Sequence, residues 1–132
     1  MLEDSHADAE LVQRVLRKEH LPCIFHLAMT KSDFDEALDK FLPDIILADN
    51  SLPQFSATEA LRTVRQRKLP IPFIMVTGTV SEEFAANIIK SGADDYILKD
   101  RLVRLPAAID AAIHKRRTEM EKSMALEQLV DS

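Results

Sequence analysis

The chain has a single cysteine, Cys23, which excludes an internal disulfide. Its place in an apolar run predicts a buried, unreactive thiol and fits a reducing cytoplasm. No apolar stretch is long enough to span a bilayer, and no signal-peptide pattern opens the chain. Positive charge is not in excess. Seventeen Lys and Arg stand against 22 Asp and Glu, a net charge of −5 that argues against a general nucleic-acid surface. His6, His20, His26 and His114 share no metal-ligand spacing, and there are no internal repeats or low-complexity tracts. Helix-turn-helix, cyclase and kinase signatures are also missing. What remains is one domain of 132 residues, 46% hydrophobic and 30% charged, large enough to bury a real core. The basic cluster His114-Lys115-Arg116-Arg117 falls on a predicted helix and reads as a solvated face.

Helix-like and strand-like segments alternate along the chain, the pattern of a parallel α/β sheet. Ser5 or Asp4 caps a first helix to about His20, with Leu11, Val12, Val15 and Leu16 inward. Cys23 to Met29 reads as a strand. Ser32 to Leu42 reads as a helix with Phe34, Ala37, Leu38 and Phe41 inward, stopped by Pro43. The apolar run Ile45 to Asp49 is a short strand covered on both faces. Ala57 to Lys68 is a helix, and Phe73 to Val76 is the next strand. A helix opens at Ser81-Glu82-Glu83, with Phe84, Ile88 and Ile89 inward, and Gly92 ends it in a left-handed conformation. Tyr96 to Lys99 is the last strand. The final helix starts near Pro106 and runs toward Val130, roughly 40 Å. Residues 1–115 then form the domain, and 116–132 a helical extension or a linker toward an output domain.

Four strand-like runs end in useful groups: Glu3-Asp4 after Met1-Leu2, Asp49 after Ile45-Ile46-Leu47-Ala48, Thr77 after Phe73-Ile74-Met75-Val76, and Lys99 after Tyr96-Ile97-Leu98. In a parallel sheet such ends emerge on one edge, where ligands of open α/β folds collect. Asp49 is placed to attack phosphorus and form an acyl phosphate. Glu3, Asp4 and Asp49 converging without a counter-charge would repel one another. A divalent cation resolves this, and an oxygen-only donor set selects Mg²⁺ or Mn²⁺. Lys99 can pair with the phosphoryl group, the Thr77 hydroxyl can donate to it, and Gly78 leaves the approach open.

With Glu3-Asp4, Pro43-Asp44-Ile45-Ile46-Leu47-Ala48-Asp49 and Pro53, Thr77-Gly78, and Gly92-Ala93-Asp94-Asp95-Tyr96 leading to Lys99, the chain resembles the CheY-like receiver domain of two-component response regulators. The resemblance implies a flavodoxin-like, doubly wound sheet of five parallel strands, ordered 2-1-3-4-5, with five helices. It implies phosphorylation of Asp49 by a histidine kinase or a histidine phosphotransfer protein. It also implies Mg²⁺ held by Asp4, Asp49 and the backbone carbonyl of Ser51, with Glu3 acting through a metal-bound water. Thr77 and Tyr96 look like the family's switch pair, with an output face on the helix near Ser81, the last strand and the final helix. Homodimerisation through the last strand and final helices belongs to the same expectation. Membrane contact and direct nucleic-acid binding do not.

Two features depart from that pattern. Only Met1 and Leu2 precede the acid pair, so they read as the end of a longer strand with residues missing upstream. Asp100, not the family's usual proline, follows Lys99, and it is placed to cap a turn from Arg101 to Arg104. Two other functions compete with a phosphorylated switch. A haloacid-dehalogenase-like aspartyl phosphatase needs a second acid two residues after its nucleophile, where this chain has Ser51. A pseudo-receiver would keep the fold as a docking module without phosphorylation. Blander roles also exist: Tyr96 as core, Glu3-Asp4 as terminal charge.

Overall fold

A computed structural model describes residues 1–19, 23–50, 55–78 and 81–131, with residues 123–131 as helix backbone only. Helix α1 (His6–Lys18), α2 (Lys31–Lys40), α3 (Ala57–Gln66) and α4 (Glu82–Lys90) all start the same way. The hydroxyls of Ser5, Thr30, Ser56 and Ser81 accept from the N–H three residues on, at 3.3, 3.1, 3.3 and 3.1 Å. Each bond satisfies a donor with no partner inside its own helix. Basic residues close all four last turns, complementing the helix dipoles. Gly92, at φ +114°, ends α4: the Ala93 N–H reaches back to Ile88 O at 3.1 Å and Gly92 N–H to Ile89 O at 3.0 Å.

Strands β1 (Ile46–Ala48), β2 (Phe73–Thr77) and β3 (Asp95–Leu98) form a parallel sheet in that order. Leu2 lies on the far side of β1 and bridges both Ala48 and Ala28. Its N–H donates to Leu47 O at 2.7 Å, and its carbonyl accepts from Asp49 N–H at 2.9 Å. Three strands are therefore found among the described residues, where five were expected. Of the expected Cys23–Met29 strand, Ala28 bridges Leu2 and the His26 carbonyl accepts from the Met1 ammonium at 2.6 Å, but no ladder forms among the described residues.

Alternate strand residues feed two cores. Ile46, Ala48, Phe73 and Met75 face Phe34 and Leu38 of α2, Leu61 and Val64 of α3 and Ile88 of α4. Leu47, Ile74, Val76 and Ile97 face Val12 and Leu16 of α1 and Ile109 and Ala112 of α5 (Leu105–Asp131). Helices thus cover both faces of a largely apolar parallel sheet, as its burial requires. No helix among the described residues is long and apolar enough to cross a membrane.

Several local expectations are corrected. Cys23 is exposed, because its segment runs at the edge of the sheet with one bridge rather than inside it. Leu11 and Ile89 lie toward solvent, and Phe41 lies outside α2, where it stacks on His26 at 5.1 Å between ring centroids. Asp100 caps nothing; it sits inside a 3₁₀ turn, Lys99–Arg104, that has no side-chain cap.

Arg116 is not part of a solvated face either. Its Nε lies 3.0 Å from Asp94 Oδ1, and Arg65 lies 3.5 Å from Oδ2 of the same buried carboxylate. Asp94 also accepts the Phe73 N–H at 2.8 Å, while Arg65 reaches the carbonyls of Gly92, Leu69 and Ile71. This knot ties α3, β2 and α5 together at the end of the sheet opposite Thr77.

Candidate phosphoacceptor site

The chain runs from Leu2 outward to Ala28, then returns to β1 on the other side of Leu2. A crevice opens at such a reversal, at the carboxyl ends of the strands. Glu3, Asp4 and Asp49 meet there, with ligand oxygens all within 4.8 Å of one another. Asp49 follows β1 directly and is 2% exposed; Glu3 is fully buried and Asp4 is exposed. Thr77 ends β2, and Lys99 follows β3. The Lys99 ammonium lies 2.9 Å from Glu3 Oε2, 3.2 Å from Asp49 Oδ2 and 2.6 Å from Asp8 Oδ2.

The electrostatics are lopsided: three carboxylates surround one ammonium, and Asp4 adds a fourth acid beside Glu3 and Asp49. Burial pushes the Glu3 carboxyl above the usual range and the Asp49 charge adds to it, against the pull of Lys99 and the Ser5 N–H. Burial alone would lower Lys99, but hydrogen bonds to Asp8 and Glu3 and the charge of Asp49 outweigh it and hold the ammonium well above its ordinary value. Thr77 is 1% exposed, and its Oγ1 has no hydrogen-bond partner among the described residues. A buried hydroxyl in that state costs free energy until something accepts from it.

A hard divalent cation fits this set. The donors are all oxygens, they converge, and the surplus negative charge is what a small dication neutralises. Among the described residues Glu3, Asp4 and Asp49 would hold it.

The structure therefore brings Glu3, Asp4, Asp49 and Lys99 together, with Thr77 at the adjoining strand end. Tyr96 is half-buried in register with Met75, on the sheet face it shares with Thr77 and one diagonal step below the rim. Ser51 and Pro53 lie outside the described residues. A Cβ on Gly78 would meet nothing within 4 Å, so the approach is open there with or without glycine. Sequence reasoning missed Asp8. Its signal was the Ser5-His6-Ala7-Asp8 spacing, which turns the residue toward the rim from the first turn of α1, but an acid there is already explained by capping.

Comparison with known proteins agrees with this geometry. The chain is 29% identical over 135 residues to the cell cycle response regulator CtrA of Brucella ovis, covering 98% of this chain and 56% of that protein. It thus spans about half the length of the curated relatives it matches. A signal receiver domain from Vibrio parahaemolyticus superposes with a TM-score of 0.79 at 26% identity, covering 99% of this chain and 94% of that one. A CheY-like receiver domain protein from Methanospirillum hungatei shares the fold at a TM-score of 0.76 and 24% identity, covering 89% of this chain and 94% of the other. The family model described as the response regulator receiver domain matches residues 1–110. With the acids, Lys99 and Thr77 on one rim and that match over most of its length, the chain belongs to the response regulator receiver domain family of two-component signalling.

Proposed function

We propose that the domain is a phosphoacceptor switch in a phosphorelay, phosphorylated on Asp49 by a histidine kinase or histidine phosphotransfer protein. The observation that carries this is the buried Asp49 carboxylate held 3.2 Å from Lys99, on the rim it shares with Thr77, whose hydroxyl has no partner among the described residues. An Asp49 carboxylate oxygen attacks the phosphorus of the donor phosphohistidine. The new O–P bond forms as the N–P bond breaks, and the imidazole leaves with that electron pair and takes a proton from water. Lys99 pairs with the phosphoryl oxygens, and Thr77 donates its hydroxyl to one of them. Positioning and charge neutralisation, not further covalent help, carry such transfers. Mg²⁺ or Mn²⁺, held by Asp4, Asp49 and the Ser51 carbonyl, with Glu3 acting through water, would neutralise charge on the phosphoryl oxygens.

In this account the phosphoryl group adds a charge of about −1.5 to −2, draws Thr77 toward it, and Tyr96 turns into the space vacated. The signal leaves through α4, β3 and α5, where a homodimer would form. The five-strand order 2-1-3-4-5 is part of the same proposal, with the Ala28 segment as the edge strand and the Leu2 segment between it and β1. So is the division into a switch over 1–115 and a connecting helix over 116–132. The domain acts as a switch in the cytoplasm, not as a turnover enzyme, and this segment neither contacts a membrane nor binds nucleic acid. Beryllofluoride with Mg²⁺ tests it: wild type is expected to bind and shift Tyr96 fluorescence, and Asp49→Asn to do neither. Binding that survives in Asp49→Asn contradicts the site.

A further inference from the structure

Asp8 belongs to neither the acid pair nor the phosphoacceptor, yet it makes the shortest contact to Lys99, 2.6 Å against 2.9 Å for Glu3 and 3.2 Å for Asp49. An acid at the third position of a helix ordinarily serves the cap, reaching back to the N–H of the capping residue. Here that N–H, on Ser5, is taken by Glu3 Oε1 at 3.0 Å. The Asp8 N–H still donates to Ser5 Oγ at 3.3 Å, but its carboxylate is released from capping and turned across to the rim.

An ammonium has three N–H donors, and three carboxylates surround this one. A phosphoryl oxygen arriving on Asp49 needs a donor from Lys99, so one acid must yield. Glu3 and Asp49 have buried side chains, whereas that of Asp8 is 35% exposed and can turn to water. Releasing Asp8 is the least costly exchange, because its carboxylate regains hydration that the other two cannot. The incoming group also adds negative charge beside an acid that stands only one ammonium away.

Resting on the phosphoacceptor function above, we propose that Asp8 is a positioning residue that competes with the phosphoryl group for Lys99 and so sets how tightly the site holds phosphoryl oxygens. Removing its charge frees a donor and removes a repulsion, two effects of the same sign. Asp8→Asn keeps the size of the side chain and leaves the Ser5 cap in place.

The test is a beryllofluoride titration of the full chain at fixed, excess Mg²⁺, comparing wild type, Asp8→Asn, Asp8→Glu and the two Asp8 variants combined with Lys99→Met. Asp8→Asn is expected to tighten binding about two- to fivefold, the range for a part-exposed ion pair. Asp8→Glu should return toward wild type, and against a Lys99→Met single variant the gain should shrink to the part due to the removed repulsion. In metal-free protein, ¹⁵N NMR should show the Lys99 ammonium signal broadened by faster proton exchange in Asp8→Asn. Equal or weaker binding by Asp8→Asn overturns the competition, as does a gain that is undiminished when Lys99 is replaced. No binding by wild type refutes the phosphoacceptor function itself, and the NMR comparison then still decides whether Asp8 restrains Lys99.

Discussion

Asp94→Ala strikes the fold at the end of the sheet far from the phosphoacceptor. The Asp94 side chain is 1% exposed and accepts the Phe73 N–H at 2.8 Å and Arg116 Nε at 3.0 Å, with Arg65 at 3.5 Å. Without it the Phe73 N–H, on a fully buried residue, is left unpaired, which costs about 1–3 kcal/mol. Arg65 and Arg116 lose the Asp94 charge, but Arg116 keeps Glu119 at 3.7 Å, and both keep carbonyl partners among Gly92, Leu69 and Ile71 and some access to water. Breaking a buried pair in this way costs about 3–5 kcal/mol in all, a large part of the roughly 5–15 kcal/mol a domain of this size possesses. The melting temperature should fall by about 10–20 °C. Urea and thermal melts followed by circular dichroism at fixed pH read the change. Asp94→Asn, whose amide oxygen can still accept from Phe73, should lose about half as much. Beryllofluoride binding of the folded variants at low temperature should stay as in wild type. A fall of less than about 3 °C for Asp94→Ala would refute this account of the knot.

Four further outcomes follow from the same structure. Because the folded Glu3 carboxyl binds its proton more tightly than an unfolded one, wild-type stability relative to Glu3→Gln should decline as pH rises from about 4.3; melts in EDTA that show the difference growing with pH contradict it. Gly92→Ala should cost about 1–3 kcal/mol, because φ is +114° and a Cβ would lie 3.1 Å from Arg65 Nε. Gly78→Ala, with open space around it, should stay within about 0.5 kcal/mol of wild type in the same melts. Cys23 should react with a thiol reagent in the native protein at the rate of a free thiol; protection until unfolding would place it in the core instead.

The strand ends were legible because a buried parallel strand is an apolar run, and the first polar residue after it marks the rim. Asp49, Thr77 and Lys99 came from that pattern alone. The helix start at Ser81 was equally plain, and the first cap was narrowed to Ser5 or Asp4, since a capping side chain acts over three residues of sequence. Two kinds of feature were not legible. An apolar run does not say whether its neighbours will pair with it, so the Cys23 segment read as a strand although Leu2 offers it one bridge. Nor does sequence show which of several possible partners a charge takes. Asp8 passed unmarked because Glu3 already holding the Ser5 N–H is a fact of three dimensions. Arg116 looked solvated because its partner Asp94 stands 22 residues earlier, on another element.

The central claim is that Asp49 accepts a phosphoryl group, and chemical trapping tests it most directly. Wild type is incubated with acetyl phosphate and Mg²⁺, the acyl phosphate is reduced with borohydride, and peptide mass spectrometry locates the product. The account predicts conversion of Asp49 to homoserine, dependent on Mg²⁺ and lost in Asp49→Asn. Homoserine at another acid, or none in a folded, Mg²⁺-loaded protein, would contradict it.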